Sequence, residues 1–430
     1  MARNTRHGHG PRSALLLVLG GVALHGCADD DSSLADAGGP VTTSDGGTAG
    51  ADDPSADDPG AGDSGADETA GTGGVEGVPP CSFDLTPELE RLHVPGLSAG
   101  IIADGRLVCT AVAGWADVEA RRPVTPDTMF EWASVSKTIT VTAAMLLHEE
   151  GRFDLDDDVG DYLPFAVRNP ECPDTPITFR HLMTHTSSII DNEPVYGGTY
   201  TEGDSPLSLG DFVRGYVEPG GAFYDAEDNF DFECAGSYSE YSNIAVGLLG
   251  HAVEQIAEQP FDDFCRERIF APLGMGQASF HLANLDVDNI ATPYEPAADG
   301  GVSRIEHVGY ATYPDGLLRT SVPDLARFLA MMSGSGVYEG ERMLAESTIE
   351  ELKRIQFPAL DETQGLVWYY DFDGALLGHD GSDNGASSLM FFDPETGDGA
   401  LLVANGLLWD AAETEAYAAF SALMLEAADY

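Results

Sequence analysis

The stretch Phe130-Glu131-Trp132-Ala133-Ser134-Val135-Ser136-Lys137, continuing through Thr138 to Gly151, constrains this chain more than any other. After Ser134 the apolar residues Ile139, Ala143, Leu146 and Leu147 return at steps of three and four, and Gly151 supplies a stop. This spacing predicts one buried helix with Ser134 at its N-terminus. Residues three apart on a helix are neighbours, so Lys137 stands about 5–6 Å from Ser134 between Cβ atoms. The first-turn N–H groups lack partners inside the helix and offer a place for developing negative charge. A hydroxyl, an amine and an anion site therefore converge.

Alone, Ser-x-x-Lys is a weak signal, and a capping serine beside a surface lysine is its plain reading. Composition changes the weighting. The chain has two lysines, Lys137 and Lys353, and its other eighteen basic residues are arginines. Lysine is the cation whose pKa falls readily on burial, which frees it to accept a proton. An ammonium kept within an apolar flank, in a chain that otherwise uses arginine, points to that use.

At the N-terminus, Arg3, Arg6 and Arg12 precede an apolar run from Ala14 to Leu24, too short to span a bilayer as a lasting helix. It ends in Leu24-His25-Gly26-Cys27, which resembles the lipobox of bacterial lipoproteins and implies lipidation at Cys27. His25 departs from the small residue usual there, and a secretory peptide cleaved nearby is the alternative. Residues 1–27 thus read as a signal peptide. Residues 28–80 follow with thirteen acidic residues, no lysine or arginine, and mostly Gly, Ala, Ser, Thr and Pro. Such a segment cannot bury a core and reads as a disordered, self-repelling tether. The expected setting is export, periplasmic or at the cell surface, on a lipid anchor to a bacterial membrane.

The remainder, 81–430, is long for one core, and two subdomains are expected. Sixty of the 73 acidic residues lie there against seventeen of the twenty basic ones. Nucleic acid is a poor partner for that balance, because phosphate binding needs clustered Lys and Arg. Capture of anionic substrates from a distance is disfavoured too. Cys81, Cys109, Cys172, Cys234 and Cys265 show no C-x-x-C or metal-ligand spacing, so no metal or cofactor is expected. Pairs Cys81–Cys109 and Cys172–Cys234 are expected, with Cys265 a free thiol on an apolar helix face. Asp154 to Asp158 and Asp225 to Asn229 lack calcium-loop spacing and read as solvated acidic loops.

Leu97 to Ala103, Asp104-Gly105 and Arg106 to Trp115 read as a hairpin. Ala386 to Asp393 and Gly399 to Asn405 read as another, preceded by an apolar segment Ala375 to Gly378. Five strands split between the two ends of the chain predict one antiparallel sheet built by both. An alanine-rich helix from Ala411 to Ala427 would pack on it through Tyr417, Phe420, Leu423 and Met424. Between lie helical patterns at Thr178 to His185, Asn243 to Ala257 and Ser321 to Met332, the last with a Ser321 cap and Pro323 in its first turn.

Two more clusters stand at element boundaries: Tyr241-Ser242-Asn243 before a buried helix, and Gly378-His379-Asp380-Gly381-Ser382 on a late strand. In order, Ser-x-x-Lys, Tyr-x-Asn and His-x-Gly resemble the serine β-lactamase and penicillin-binding-protein superfamily, in its class C-like branch. The resemblance runs over residues 90–406. It includes His93 to Gly96, Asp127 to Phe130, Leu155 to Pro164, Ile177 to Ser187 and Ala271 to Met275. It implies an α+β, β-lactamase/transpeptidase-like fold: a five-stranded antiparallel sheet between helices in three αβα layers, from 81–153 and 322–430, plus a mostly helical part, 154–321.

Position by position, the resemblance implies Ser134 as nucleophile, Lys137 as the neutral amine beside it and Tyr241 as partner base and leaving-group acid. Asn243 would hold Lys137 and a substrate carbonyl. His379, Asp380 and Gly381 would form the third motif. The N–H groups of Ser134 and Ser382 would form the oxyanion hole, each held donor worth roughly 3–4 kcal/mol. His181 and His185 read as core or hydrogen-bonding residues. The departures bear on substrate: His379 stands where a lysine is common, and Asp380 brings a negative charge in place of a hydroxyl. Neutral esters, small amides or peptides, or substrates bearing an amine, are therefore expected. D-alanyl-D-alanine carboxypeptidase or class C-type β-lactamase activity is the alternative, and an inactive binding scaffold is the rival of another class. Oligomeric state is not legible here.

Overall fold

Runs that bury every residue dominate the sheet. The strands Gly96–Ala103, Ala386–Phe392 and Gly399–Ala404 are buried throughout. Unbroken apolar runs of this kind arise when both faces of a sheet are covered. The alternation is visible in what each residue touches. Leu389 and Phe391, with Leu402 and Ala404, pack into one core, while Met390, Phe392, Leu401 and Val403 pack into the other. The computed structural model describes residues 77–430 other than 299, 409–412 and 429. Cys27, the signal segment and the tether up to residue 76 lie outside the described residues.

The strands are β1 (Gly96–Ala103), β2 (Arg106–Asp117), β3 (Arg122–Pro123), β4 (Tyr369–Asp371), β5 (Leu376–Asp383), β6 (Ala386–Phe392) and β7 (Gly399–Ala404). They form one antiparallel sheet in the order β4-β5-β6-β7-β1-β2-β3. The join between the two ends of the chain is the β1–β7 ladder, with Leu97 opposite Ala404 and Ile102 opposite Gly399. The five expected strands are all present. The sheet has seven, because two short edge strands, β3 and β4, extend it, and two or three residues are too few to show a period. β5 also runs further than the apolar segment that announces it, to Asp383.

Helices cover both faces. On one side lie α1 (Thr86–Leu92) and the C-terminal helix, Glu413–Ala427, whose Ala416, Ala419, Phe420 and Leu423 are buried against the sheet. On the other lies α4 (Val322–Ser333), packed on β1, β2, β6 and β7, while α2 (Ser136–Glu149) and α3 (Asn243–Ala257) pack on each other beside it. Ser321 caps α4 by accepting from Asp324 N, and Pro323 occupies its first turn. Ser242 caps α3 in the same way through Ala245 N. Thr178 and His181 form a reciprocal cap on the short helix Phe179–Met183, so His181 has a structural task. Cys81–Cys109 and Cys172–Cys234 are bonded, and Cys265 is a buried free thiol.

Candidate active site

Ser134 stands in a single 3-10 turn, Ala133–Val135, that leads directly into α2. Ala133 has φ 45°, a left-handed conformation that costs a non-glycine residue roughly 1–3 kcal/mol and recurs where a side chain is aimed for function. The turn packs on β5. A Cβ added to Gly381 would fall 2.9 Å from Ser134 N and 2.5 Å from Trp132 O, so the absence of a side chain there lets the strand approach the serine. β4 pairs with β5 only as far as Gly378. Beyond it β4 supplies no further ladder partner, and Ser382 is exposed on that edge.

Every residue of α2 from Ser136 to Leu147 is buried, Lys137 included. Lys137 Nζ lies 3.0 Å from Ser134 Oγ, 2.7 Å from Asn243 Oδ1 and 2.7 Å from the Asp315 carbonyl oxygen. The Asn243 amide cannot be the other way round, because its Nδ2 donates to Asp191 Oδ2 at 2.9 Å. Both oxygens facing Lys137 are therefore pure acceptors. A neutral amine gives them its two N–H groups and turns its lone pair to the Ser134 hydroxyl. Burial pushes the Lys137 pKa down, opposed by the charges of Asp315, Asp191, Asp383 and Asp380.

Tyr241 closes the third side. Its phenol lies beside Ser134, and Lys137 Nζ lies 5.0 Å from its ring centroid. Burial raises the Tyr241 pKa well above the ordinary phenol value, with the neighbouring Ser134 hydroxyl opposing, so the phenol keeps its proton. His185 stacks on the Tyr241 ring with centroids 4.4 Å apart. Its Nδ1 accepts from Ser242 N at 3.2 Å, which puts the ring proton on Nε2. Burial drives its pKa well down. His185 thus fixes a neighbour of Ser134 without being charged, in line with its reading as a hydrogen-bonding residue.

The third motif lies along the edge of β5. His379 is buried, its ring 6.5 Å from Tyr241, and its Nδ1–H donates to the Asp380 carbonyl oxygen at 2.5 Å. Burial and then the Lys137 charge hold its pKa down at about 3. Strand side chains alternate, so Asp380 turns to the face opposite His379 and Gly381. There the Tyr369 phenol donates to its carboxylate. Burial raises the Asp380 pKa and that bond opposes the rise. Ser382 is exposed on this edge.

Three contributors carry no motif of their own. Asp191 accepts from Ser242 Oγ, Asn243 N and Nδ2, and Ile244 N at 2.9–3.0 Å, which seats its carboxylate on the N-terminus of α3. Asp315 gives its carbonyl to Lys137 while its carboxyl accepts from Tyr196 and Tyr310 at 3.0 and 3.2 Å. Burial lifts that carboxyl to about 7. A Cβ on the next residue, Gly316, would sit 2.0 Å from the Tyr310 hydroxyl, so glycine there permits the arrangement. His185 is the third. No local pattern marks these residues, because the partners that tie them to Lys137, Ser242 and Asn243 lie 51 to 178 positions away. No group of three or more His, Cys, Asp or Glu among the described residues is placed to hold a metal.

A two-sided αβα sheet with a serine, a buried amine and a phenol at its edge defines the β-lactamase/transpeptidase class of protein. The β-lactamase family profile matches residues 84–424, and the chain belongs to that family of β-lactamase-related serine hydrolases. It is 29% identical over 333 residues to penicillin-binding protein 4 of Amycolatopsis lactamdurans, covering 73% of this chain and 81% of that one. It is 30% identical over 287 residues to a β-lactamase of Yersinia enterocolitica, covering 66% of each. Among solved structures, the octameric penicillin-binding protein homologue from Pyrococcus abyssi superposes with a TM-score of 0.62 at 27% identity, over 79% of this chain and 75% of that one.

Proposed function

We propose that this chain hydrolyses esters or small amides and peptides through an acyl-enzyme on Ser134. The observation that carries the reading is the Lys137 amine, buried, 3.0 Å from Ser134 Oγ, with two pure acceptors on its other sides. The Ser134 oxygen attacks the substrate carbonyl and its proton passes to Lys137. The oxyanion forms between the N–H groups of Ser134 and Ser382, at the first turn and the edge of β5. Tyr241, kept protonated by burial, donates its proton to the leaving group and regains one from Lys137. Water then attacks the acyl carbonyl, gives up its proton along the same pair and releases the acid.

The substrate preference follows from charge. His379 is neutral, so the third motif offers a substrate carboxylate no cation, and Asp380, expected to repel one directly, is turned to the opposite face of β5 and acts only through its charge. Esters and neutral amides are favoured over β-lactams and peptides with a free C-terminus. D-alanyl-D-alanine carboxypeptidase or β-lactamase activity is the second reading, supported by the names of the two relatives above. Initial rates on p-nitrophenyl butyrate and a chromogenic cephalosporin separate the two. Faster turnover of the ester supports the first reading, and clear preference for the cephalosporin overturns it.

Export and lipid anchoring at Cys27 belong to the same reading. Two disulfides are what an oxidising compartment permits, and the acidic tether would hold the folded part off the membrane surface. Metabolic labelling with a palmitate analogue tests it: label in the wild type and none in Cys27→Ser supports the anchor.

A further inference from the structure

We propose that the cleft beside Ser134 selects acyl groups bearing a protonated amine, and that the Asp383 carboxylate is the group that holds the ammonium. The proposal rests on the acyl-enzyme reading above and adds to it the substrate class and the residue that sets it.

Along β5 the side chains alternate, so His379, Gly381 and Asp383 share a face. That is the face on which His379 stands beside Tyr241 and Gly381 meets the Ser134 amide. Asp383 therefore lies two residues beyond the point of contact with the nucleophile, about 7 Å along the strand. Its carboxylate is half-buried, neither solvated as a surface acid nor closed off as a core one.

Its present partners are neutral: the Tyr200 hydroxyl at 3.1 and 3.3 Å from its two oxygens, and the Asn384 N–H at 2.7 Å. Asp383 forms no ion pair among the described residues. The cations that act on it most are Arg319 and Lys137. The Arg319 guanidinium gives its Nη2, at 2.6 Å each, to Glu131 and to the Val308 carbonyl, not to Asp383, and its Nε is buried without a partner. Burial works against the charge on Lys137.

Glu131, three residues before the nucleophile, adds a second carboxylate whose Oε1 is buried without a partner. Burial first, and then the charge of Asp383, lifts its carboxyl to about 7, and burial raises Asp383 as well. Two carboxyl groups face one guanidinium, and the single ion pair it makes is with Glu131, which leaves Asp383 without a cation of its own among the described residues. A primary ammonium carries three donors and one positive charge, which fits the Asp383 oxygens together with the orphaned Glu131 Oε1. A substrate carboxylate in the same place would meet like charge at close range. The formal net charge of −53 draws cationic substrates toward the protein as a whole and repels anionic ones.

The test compares acyl groups matched in shape and differing in charge. Alanyl p-nitroanilide is set against isobutyryl p-nitroanilide, and 4-aminobutyryl p-nitroanilide against its pentanoyl and succinyl counterparts. An amine-bearing member is expected to lead its neutral match in kcat/KM by at least about tenfold, with the succinyl anilide slowest, as for a charge pair withdrawn from water. The lead should shrink as salt is added. In Asp383→Asn the ratio of amine-bearing to neutral substrate should fall toward unity, while Asp383→Glu should keep part of it. Equal use of neutral and cationic members by the wild type, preference for the succinyl anilide, or an unchanged ratio in Asp383→Asn would overturn the proposal. The wild-type panel and its salt dependence decide the matter if Asp383→Asn does not fold. Release of p-nitrophenol from p-nitrophenyl butyrate without cleavage of either amine-bearing anilide would sink this proposal alone. Release from no substrate would sink the acyl-enzyme reading and this proposal with it.

Discussion

Asp191 holds Asn243 by both its backbone N–H and its side-chain amide, each at 2.9 Å, and so decides which end of that amide faces Lys137. An asparagine free to turn could offer Lys137 its NH2 group, and two donors would then face each other. The carboxylate that fixes Asn243 also caps α3, so one acid ties the helix to the orientation of the amine.

Asp191→Asn should therefore lose activity out of proportion to its conservative size. Whichever way its amide sits, one of the donors from residues 242–244 meets another donor. Misplacing Lys137 by about 1 Å is worth roughly 10²-fold in kcat. Initial rates on a p-nitrophenyl ester measure the loss, and a circular dichroism melt should show a lower Tm from the buried donors left unpaired.

Lys137→Arg keeps the positive charge and should still fail. A guanidinium stays protonated at any working pH and has no lone pair for Ser134. Loss of a general base costs on the order of 10²–10⁴ in rate. Activity within tenfold of the wild type would show that a neutral amine is not required.

The pH profile should have one acid limb, set by Lys137. Its pKa is lowered, so rate rises as pH climbs through that value and stays high above it. Tyr241 is raised well above the ordinary phenol range and keeps its proton, so no fall appears where phenols usually ionise. His379, at about 3, adds no inflection near 6.5. Asp380 raises the Lys137 pKa, so Asp380→Asn should move the acid limb to lower pH. Rate profiles in overlapping buffers of constant ionic strength test both statements.

Asp315 and Glu131 should each add stability as pH falls from 8 to 5. Asp315 and Glu131 carry folded pKa values of about 7 against ordinary values of 3.8 and 4.5. At these two carboxyls the folded state holds more protons than the unfolded one between those limits, so their contribution to unfolding free energy falls as pH rises through the window, while the neutral His379 and His185 act in the opposite sense below about 6.5. Relief of the chain's net negative charge acts in the same direction as the two carboxyls. Glu351 and Asp204, each held at about 2, withdraw their support only when pH drops below the ordinary carboxyl range. Calorimetric melts at pH 5 and pH 8 test this at Glu131: the Tm at pH 5 minus that at pH 8 should be smaller in Glu131→Gln than in the wild type, and an equal difference would contradict it.

Removing the Cys172–Cys234 bond by double serine substitution should cost about 4 kcal/mol, the loop-closure estimate for a 62-residue separation. Urea unfolding at fixed pH measures it.

Much of the scaffold was legible because its signals are local. Period-3.6 spacing marked α2 and α3, and β-branched and apolar runs around Asp104-Gly105 and Pro394 marked the hairpins. Ser321 and Pro323 marked the start of α4. Edge strands β3 and β4 escaped notice because two or three residues carry no period. Among the residues now gathered at the nucleophile, Ser134, Lys137, Tyr241 and Asn243 stand in ordered motifs. Asp191, Asp315 and His185 act through partners far along the chain, and Asp383 gains its meaning only from alternation along a strand longer than its apolar half. Charge at the third motif was visible in the composition of residues 379–383, but which carboxylate shares a face with Gly381 required the register of β5.

The central claim is that the Ser134 oxygen becomes the acyl carrier. Intact-protein mass spectrometry after brief exposure to a fluorophosphonate, with peptide mapping of the product, tests it most directly. The wild type should gain the mass of one phosphonyl group, carried by the peptide containing Ser134, and Ser134→Ala should gain none. An adduct on a different residue, or an unlabelled wild type that still turns over p-nitrophenyl butyrate, would contradict the account.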